Sequence, residues 1–276
     1  MKFLLLFISI LILNIGCSVK PTEYASITIK GSDSMLQLTE NLAEEYMKIN
    51  PGISIYVYGG GSSEGVRALI QDEIDICTAS RNLKPEETKA LADYYGSVGL
   101  FYLVAKEALC IYVNQNNPVK NFTIEELKKI FECEIVNWDK LGGKNQKITP
   151  VIRNINSGTH YYFKEHVLSG DNYCDDAVIE STTNSVIEYI ENNEAAIGYG
   201  SMGYTGDIFY AMVDNIEPSE KNVRNDTYPI TRYLHFYTTR VPKGAVKKFI
   251  DWVLSPEGQQ VIKQSGYIPL WELPPN

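Results

Sequence analysis

The chain has 276 residues, with 25 Lys and Arg against 34 Asp and Glu and a formal net charge of −9 at pH 7. That acidity argues against nucleic acid or anionic lipid as the main partner, since both need a broad basic surface, but it leaves room for a small anion held by local dipoles. The length suits two modest domains or one large one. Lys2 followed by the apolar run 3–13 reads as a secretion leader, too short to span a bilayer stably. Gly16-Cys17 then sets a small residue before a cysteine, although Asn14 departs from the leucine usual in such a box. Residues 1–16 are therefore expected to be a lipoprotein signal peptide, with Cys17 acylated as the mature N-terminus and 17–24 a short tether. The expected location is outside the cytoplasm, lipid-anchored at the cell envelope.

Beyond the tether, strands and helices alternate. Residues 26–30 read as a strand, and 35–49 as an amphipathic helix with Leu38, Leu42 and Tyr46 on one face, ended by Pro51-Gly52. A strand over 53–58, a helix over 64–71, a strand over 74–77 and a helix from Pro85 to Tyr95 follow. Two apolar runs, 98–104 and 108–113, come next, and the alternation predicts a mostly parallel sheet with helices on both faces. After the polar break 114–121, Thr123-x-x-Glu126 makes a capping box for a helix through Phe131. A strand over 148–153, helices over 158–168 and 185–191 and a strand over 196–199 form a second α/β unit. Residues 205–228 look irregular; 230–238 is strand-like, and two helices close the chain, the second with Pro256 at its first position. The first unit needs the chain after Pro229 to complete it. Two α/β lobes joined by two crossings are expected, with residues 25–110 and 227–276 in the first and 111–226 in the second.

Four segments share one character: Gly31-Ser32-Asp33-Ser34-Met35, Gly59 to Gly65, Ala79-Ser80-Arg81, and Arg153 to Thr159. Three of them follow a strand and open a helix, where free N–H groups and the positive helix end favour an anion. Any one alone is an ordinary cap, but four together, two with an arginine, point to an oxyanion site. Gly61-Ser62-Ser63-Glu64-Gly65 also fits G-x-S-x-G, and Asp207 and His235 follow in the order of a hydrolase triad with Ser63 as nucleophile. No oxyanion-loop segment precedes it, and His235 alternates within a strand-like run, so a serine hydrolase is the remote alternative. His160, His166 and His235 have no carboxylate or cysteine at ligand spacing, so neither metal nor cofactor is expected. Cys77, Cys110, Cys133 and Cys174 form no C-x-x-C pair; the first two lie in apolar runs as buried thiols, and the spacing does not choose among pairings.

These four segments, and above all Arg153-x-x-x-Ser157-Gly158-Thr159, resemble the phosphate-binding proteins of bacterial ABC importers, with a likeness running in order through nearly the whole chain after the leader. The resemblance implies an α/β fold of the two-lobed periplasmic-binding-protein type (type II), with two crossovers between the lobes. It implies a monomer that binds inorganic phosphate in the cleft, delivers it to the transmembrane subunits of an ABC permease, and is not an enzyme. Carried over by position, the phosphate ligands are Ser34, Met35 through its N–H, Ser63, Ser80, Arg81, Arg153, Ser157, Gly158 and Thr159, with Ser32 and Ser62 as neighbours. Two positions depart from the pattern. Arg81 stands where many members carry the aspartate that accepts the proton of hydrogen phosphate, so a dianion is expected to be favoured and sulfate or molybdate becomes the alternative ligand. Ile155 stands where many carry the aspartate that pairs with the motif arginine, so Asn154 or Asn156 is expected to orient Arg153.

Overall fold

The computed structural model describes residues 24–273, so the expected signal peptide and Cys17 lie outside the described residues. Ala25–Gly31 forms β1, and its buried residues alternate, as a strand covered on one face requires. The 3-10 turn Asp33–Met35 leads into α1 (Leu36–Ile49), whose Leu38, Leu42, Ala43 and Tyr46 pack inward. β2 (Ile53–Tyr58), α2 (Ser62–Ile70), β3 (Ile76–Ala79) and α3 (Pro85–Tyr95) complete the first run. β1 pairs in parallel with β2 and β3.

The two apolar runs after α3 are one strand, β4 (Leu100–Asn114). Lys106 and Glu107 separate the runs in the sequence and suggest a break. Both are buried inside the strand, Lys106 against Asp226 at 2.6 Å and Glu107 against Arg232 at 2.6 Å, so paired charge replaces the expected loop. Then come β5 (Asn121–Phe122), α4 (Ile124–Phe131), β6 (Thr149–Arg153), α5 (Gly158–His166), β7 (Val178–Glu180), α6 (Thr183–Glu191) and β8 (Ala196–Ser201). The stretch read as irregular contains β9 (Ile208–Val213) and α7 (Glu220–Arg224), and the chain closes with β10 (Thr231–Thr238), α8 (Gly244–Val253) and α9 (Pro256–Gln264).

The sheet order is β2-β1-β3-β10-β4-β8-β6-β7, with β9 beside β4 and β5 beside β9. It is more mixed than the parallel sheet expected, because β10 runs antiparallel to both β3 and β4, and β4 antiparallel to β8 and β9. The reason is connectivity: the chain leaves the first lobe along β4 and returns along β10, so the two crossing strands run side by side in opposite directions. One core gathers Ile27, Met35, Leu42, Val104, Ala105, Leu234 and Phe249. A second gathers Ala108 to Val113, Phe131, Val151, Phe163, Ile197 and Tyr228. The change of core falls between Ala105 and Ala108 and reverses between Ile230 and Leu234. Cys133 and Cys174 form a disulfide on the second lobe, while Cys77 and Cys110 are free and buried.

Candidate functional site

The carboxyl ends of β1, β2, β3 and β6 deliver the four segments to one place between the lobes. Ser32, Ser34, Ser62, Ser80, Ser157 and Thr159 are each at most 3% exposed. Ser32 Oγ lies 3.0 Å from Ser34 Oγ and donates to Ser80 Oγ at 3.0 Å, and the Ser80 N–H donates to Ser62 Oγ at 3.3 Å. Ser157 caps α5, accepting from the N–H groups of Thr159 and His160 at 3.2 and 3.3 Å. Gly158 brings the start of α5 directly onto the serines of the other lobe: a β-carbon there would lie 2.2 Å from Ser62 Oγ and 2.7 Å from Ser80 Oγ. Gly61, at φ +97°, makes a matching approach, its β-carbon position 2.5 Å from the Asn156 carbonyl, and the Ser63 N–H donates to that carbonyl at 3.2 Å. The Met35 N–H, expected to face an anion, donates to the Ser32 carbonyl at 3.0 Å and closes the turn.

Arg153, at the end of β6, is 1% exposed and reaches the first segment through Asp33. Its Nη2 reaches Asp33 Oδ2 at 2.9 Å and the Ser181 carbonyl at 2.8 Å, and its Nη1 reaches Thr183 Oγ1 at 2.9 Å. Burial lowers its pKa from the usual arginine value, with Asp33 pulling the other way. Neither Asn154 nor Asn156 orients it, contrary to expectation: Asn154 Oδ1 accepts from the Asn156 N–H at 3.1 Å, and Ile155 points outward at 78% exposure. The partner is Asp33, from the opposite lobe. Asp33 is itself fixed by the Gly60 N–H at 2.9 Å and by the Tyr204 hydroxyl, which donates to its carbonyl at 2.5 Å.

Two sequence-predicted residues stand apart from the hydroxyl cluster. Arg81 is buried, but Nη1 and Nη2 each donate to Glu87 at 2.7 Å, and Nη2 also donates to Ser63 Oγ at 3.0 Å. Its charge is thus matched at once by a carboxylate on α3, which removes the basis for expecting it to select a dianion. Ser63 belongs to that group, and Ser62 occupies the cluster in its place. The cause is helical geometry: α2 begins at Ser62, and neighbouring residues on a helix point about 100° apart. Ser63 also makes no triad, since no hydrogen bond among the described residues joins it to His235 or Asp207. His235 lies in β10 beside Phe101 and Tyr237, and burial pushes its pKa down to about 4.

Sequence reasoning missed Arg232 and Glu107, which face each other across β10 and β4. Arg232 Nε donates to Glu107 Oε1 at 2.8 Å, and Nη2 donates to Ser34 Oγ at 3.3 Å and Thr159 Oγ1 at 3.1 Å. Glu107 is wholly buried, accepts also from the Ser201 hydroxyl, and has its pKa raised by that burial. A cavity of about 220 Å³, bordered by Arg81, Tyr162, Arg232 and His235, opens beside the cluster. Among the described residues, no group of three His, Cys, Asp or Glu is placed to hold a metal ion. Convergent hydroxyls and two arginines, in a buried site, suit a small tetrahedral oxyanion.

Residues 18–257 match the model of the PBP superfamily domain. The phosphate-binding protein PstS of Bacillus subtilis is 34% identical over 93% of this chain and 85% of its own length, and that of Pseudomonas aeruginosa is 30% identical over 87% and 81%. A crystal structure from Clostridium perfringens, solved with bound phosphate, superposes with a TM-score of 0.83 at 31% identity, covering 89% of this chain and all of that one. An ABC-type phosphate transport receptor from Vibrio cholerae gives 0.72 at 29% identity, covering 88% and 99%.

Proposed function

We infer that this chain, which belongs to the PBP superfamily, captures inorganic phosphate between its two lobes and delivers it to an ABC-type import permease. The observation that carries this reading is the buried meeting of Ser32, Ser34, Ser62 and Ser80 from one lobe with Gly158, Thr159 and Arg153 from the other. Hydroxyls and guanidinium N–H groups are donors of the length and charge that a dehydrated dianion needs. The names of the relatives, PstS from two bacteria, agree with phosphate rather than sulfate or molybdate. Each lobe supplies half the donors, so the anion binds one half and recruits the other by hinge closure, and no bond is made or broken.

Within this reading the chain divides into a lipoprotein signal at 1–16, a tether to residue 24, a first lobe of 25–110 with 227–276, and a second lobe of 111–226. Acylation at Cys17 holds the monomer on the outer face of the membrane that carries the permease and raises its local concentration there. No helix among the described residues is long and apolar enough to cross a membrane. Calorimetric titration of the phosphate-stripped protein tests the reading, with sulfate in parallel and Arg153→Ala beside the wild type. Phosphate binding that falls by about 100-fold or more in the variant is expected, since a charge-assisted pair is lost from a buried site. Absence of heat with phosphate in the wild type rejects it.

A further inference from the structure

We propose that Arg232 is a direct ligand of the captured oxyanion, the second arginine of the site, aimed into the cleft from the inter-lobe crossing and held there by Glu107. The proposal rests on the phosphate reading above and adds to it a residue outside all four sequence segments. Three arginines are buried near the cluster, and their hydrogen bonds separate them. Arg81 gives both terminal nitrogens to Glu87. Arg153 gives both to Asp33, Ser181 and Thr183. Each of the three leaves one buried nitrogen without a protein partner, Nε in Arg81 and Arg153 but the terminal Nη1 in Arg232. Of the three, only Arg232, whose Nε and Nη2 meet one oxygen of Glu107, also points Nη2 at hydroxyls from both lobes, Ser34 and Thr159. Ser34 and Thr159 are the hydroxyls that the two lobes contribute from opposite sides, so an ion touching both lies within reach of the same guanidinium.

A buried N–H without an acceptor is costly, and a terminal oxygen of the anion is the acceptor this geometry supplies. Glu107 fixes the plane of the guanidinium, and its other oxygen is occupied by Ser201. Residues 107 and 232 face each other on the two crossing strands, and both fall in the first lobe with Ser34, so Arg232 keeps its place beside that hydroxyl whether the cleft is open or closed. It therefore meets the anion before closure as well as after it.

The test is calorimetric titration with inorganic phosphate of wild type, Arg153→Ala, Arg232→Lys, and the pair Arg232→Met with Glu107→Gln, which removes both charges together. The double variant is expected to keep a cooperative melt and to bind phosphate about 10- to 100-fold more weakly, the loss of one charge-assisted contact. A folded double variant with wild-type affinity overturns the proposal. Arg232→Lys keeps the charge beside Glu107 and serves even where the double variant fails to fold. A lysine cannot present the same planar fork, so the ³¹P resonance of bound phosphate is expected to move and the affinity to fall. An unmoved resonance with unchanged affinity overturns the proposal equally. Wild type that binds phosphate, with Arg153→Ala weakened and both Arg232 variants unaffected, rejects the role of Arg232 alone. Wild type that ignores phosphate rejects the proposed function as well.

Discussion

At position 62 a hydroxyl meets the Ser80 N–H, and at position 63 the next hydroxyl meets an arginine already bound to glutamate. Chemically the two serines are identical, so the difference between them is positional. Ser62→Ala is expected to weaken phosphate binding about tenfold through one lost hydrogen bond in a dry site, while Ser63→Ala changes it less than about twofold; titration of the two variants side by side decides it, and the reverse order would mean the cluster is misassigned. Ser32, Ser34, Ser80, Arg153, Gly158 and Thr159 stand out in the sequence because each lies at the end of a strand or in the short turn after it, within a segment of recognisable composition. Asp33 was on view inside such a segment, yet its role was hidden, since nothing local says that its partner is Arg153, 120 residues away. Arg232 and Glu107 were hidden more deeply. Each lies in an apolar, strand-like run, where a charged residue reads as an interruption until its cross-strand partner is known.

At the level of elements, most strands and helices were readable from periodicity and caps: Thr123 and Glu126 cap α4 reciprocally, and Pro256 begins α9. The exceptions share a cause: in the sequence β4 reads as two runs broken at Lys106-Glu107 and β9 is hidden in polar surroundings, because both owe their strand state to neighbours far along the chain. The disulfide is another long-range fact. Cys133 and Cys174 are 41 residues apart, and their bond ties the end of α4 to the loop after α5. Closing a loop of that length restricts the unfolded chain, and reduction is expected to lower unfolding stability by about 2–4 kcal/mol. Urea denaturation with and without reductant measures this, and coincident curves would show the bond to be absent. Cys77 and Cys110 leave the comparison clean, since both are wholly buried and burial raises both thiol pKa values.

For the molecule as a whole, the Arg153–Asp33 pair matters because it spans the cleft. A buried ion pair adds little over an apolar contact, but breaking it from one side leaves an uncompensated charge, at a cost of about 3 kcal/mol. Asp33→Asn is therefore expected to shift the lobes toward the open form. Small-angle scattering then gives a larger radius of gyration without phosphate and a higher phosphate concentration for full contraction; identical curves for variant and wild type would remove Asp33 from the closure mechanism. The continuous strand β4 has a different consequence. It lends Val104 and Ala105 to one core and Ala108 to Val113 to the other, and it lies between β10 and β8. No cut in the chain frees one lobe intact, because each lobe would lose part of a central strand to the other half. The protein is therefore divisible in motion but not along its chain.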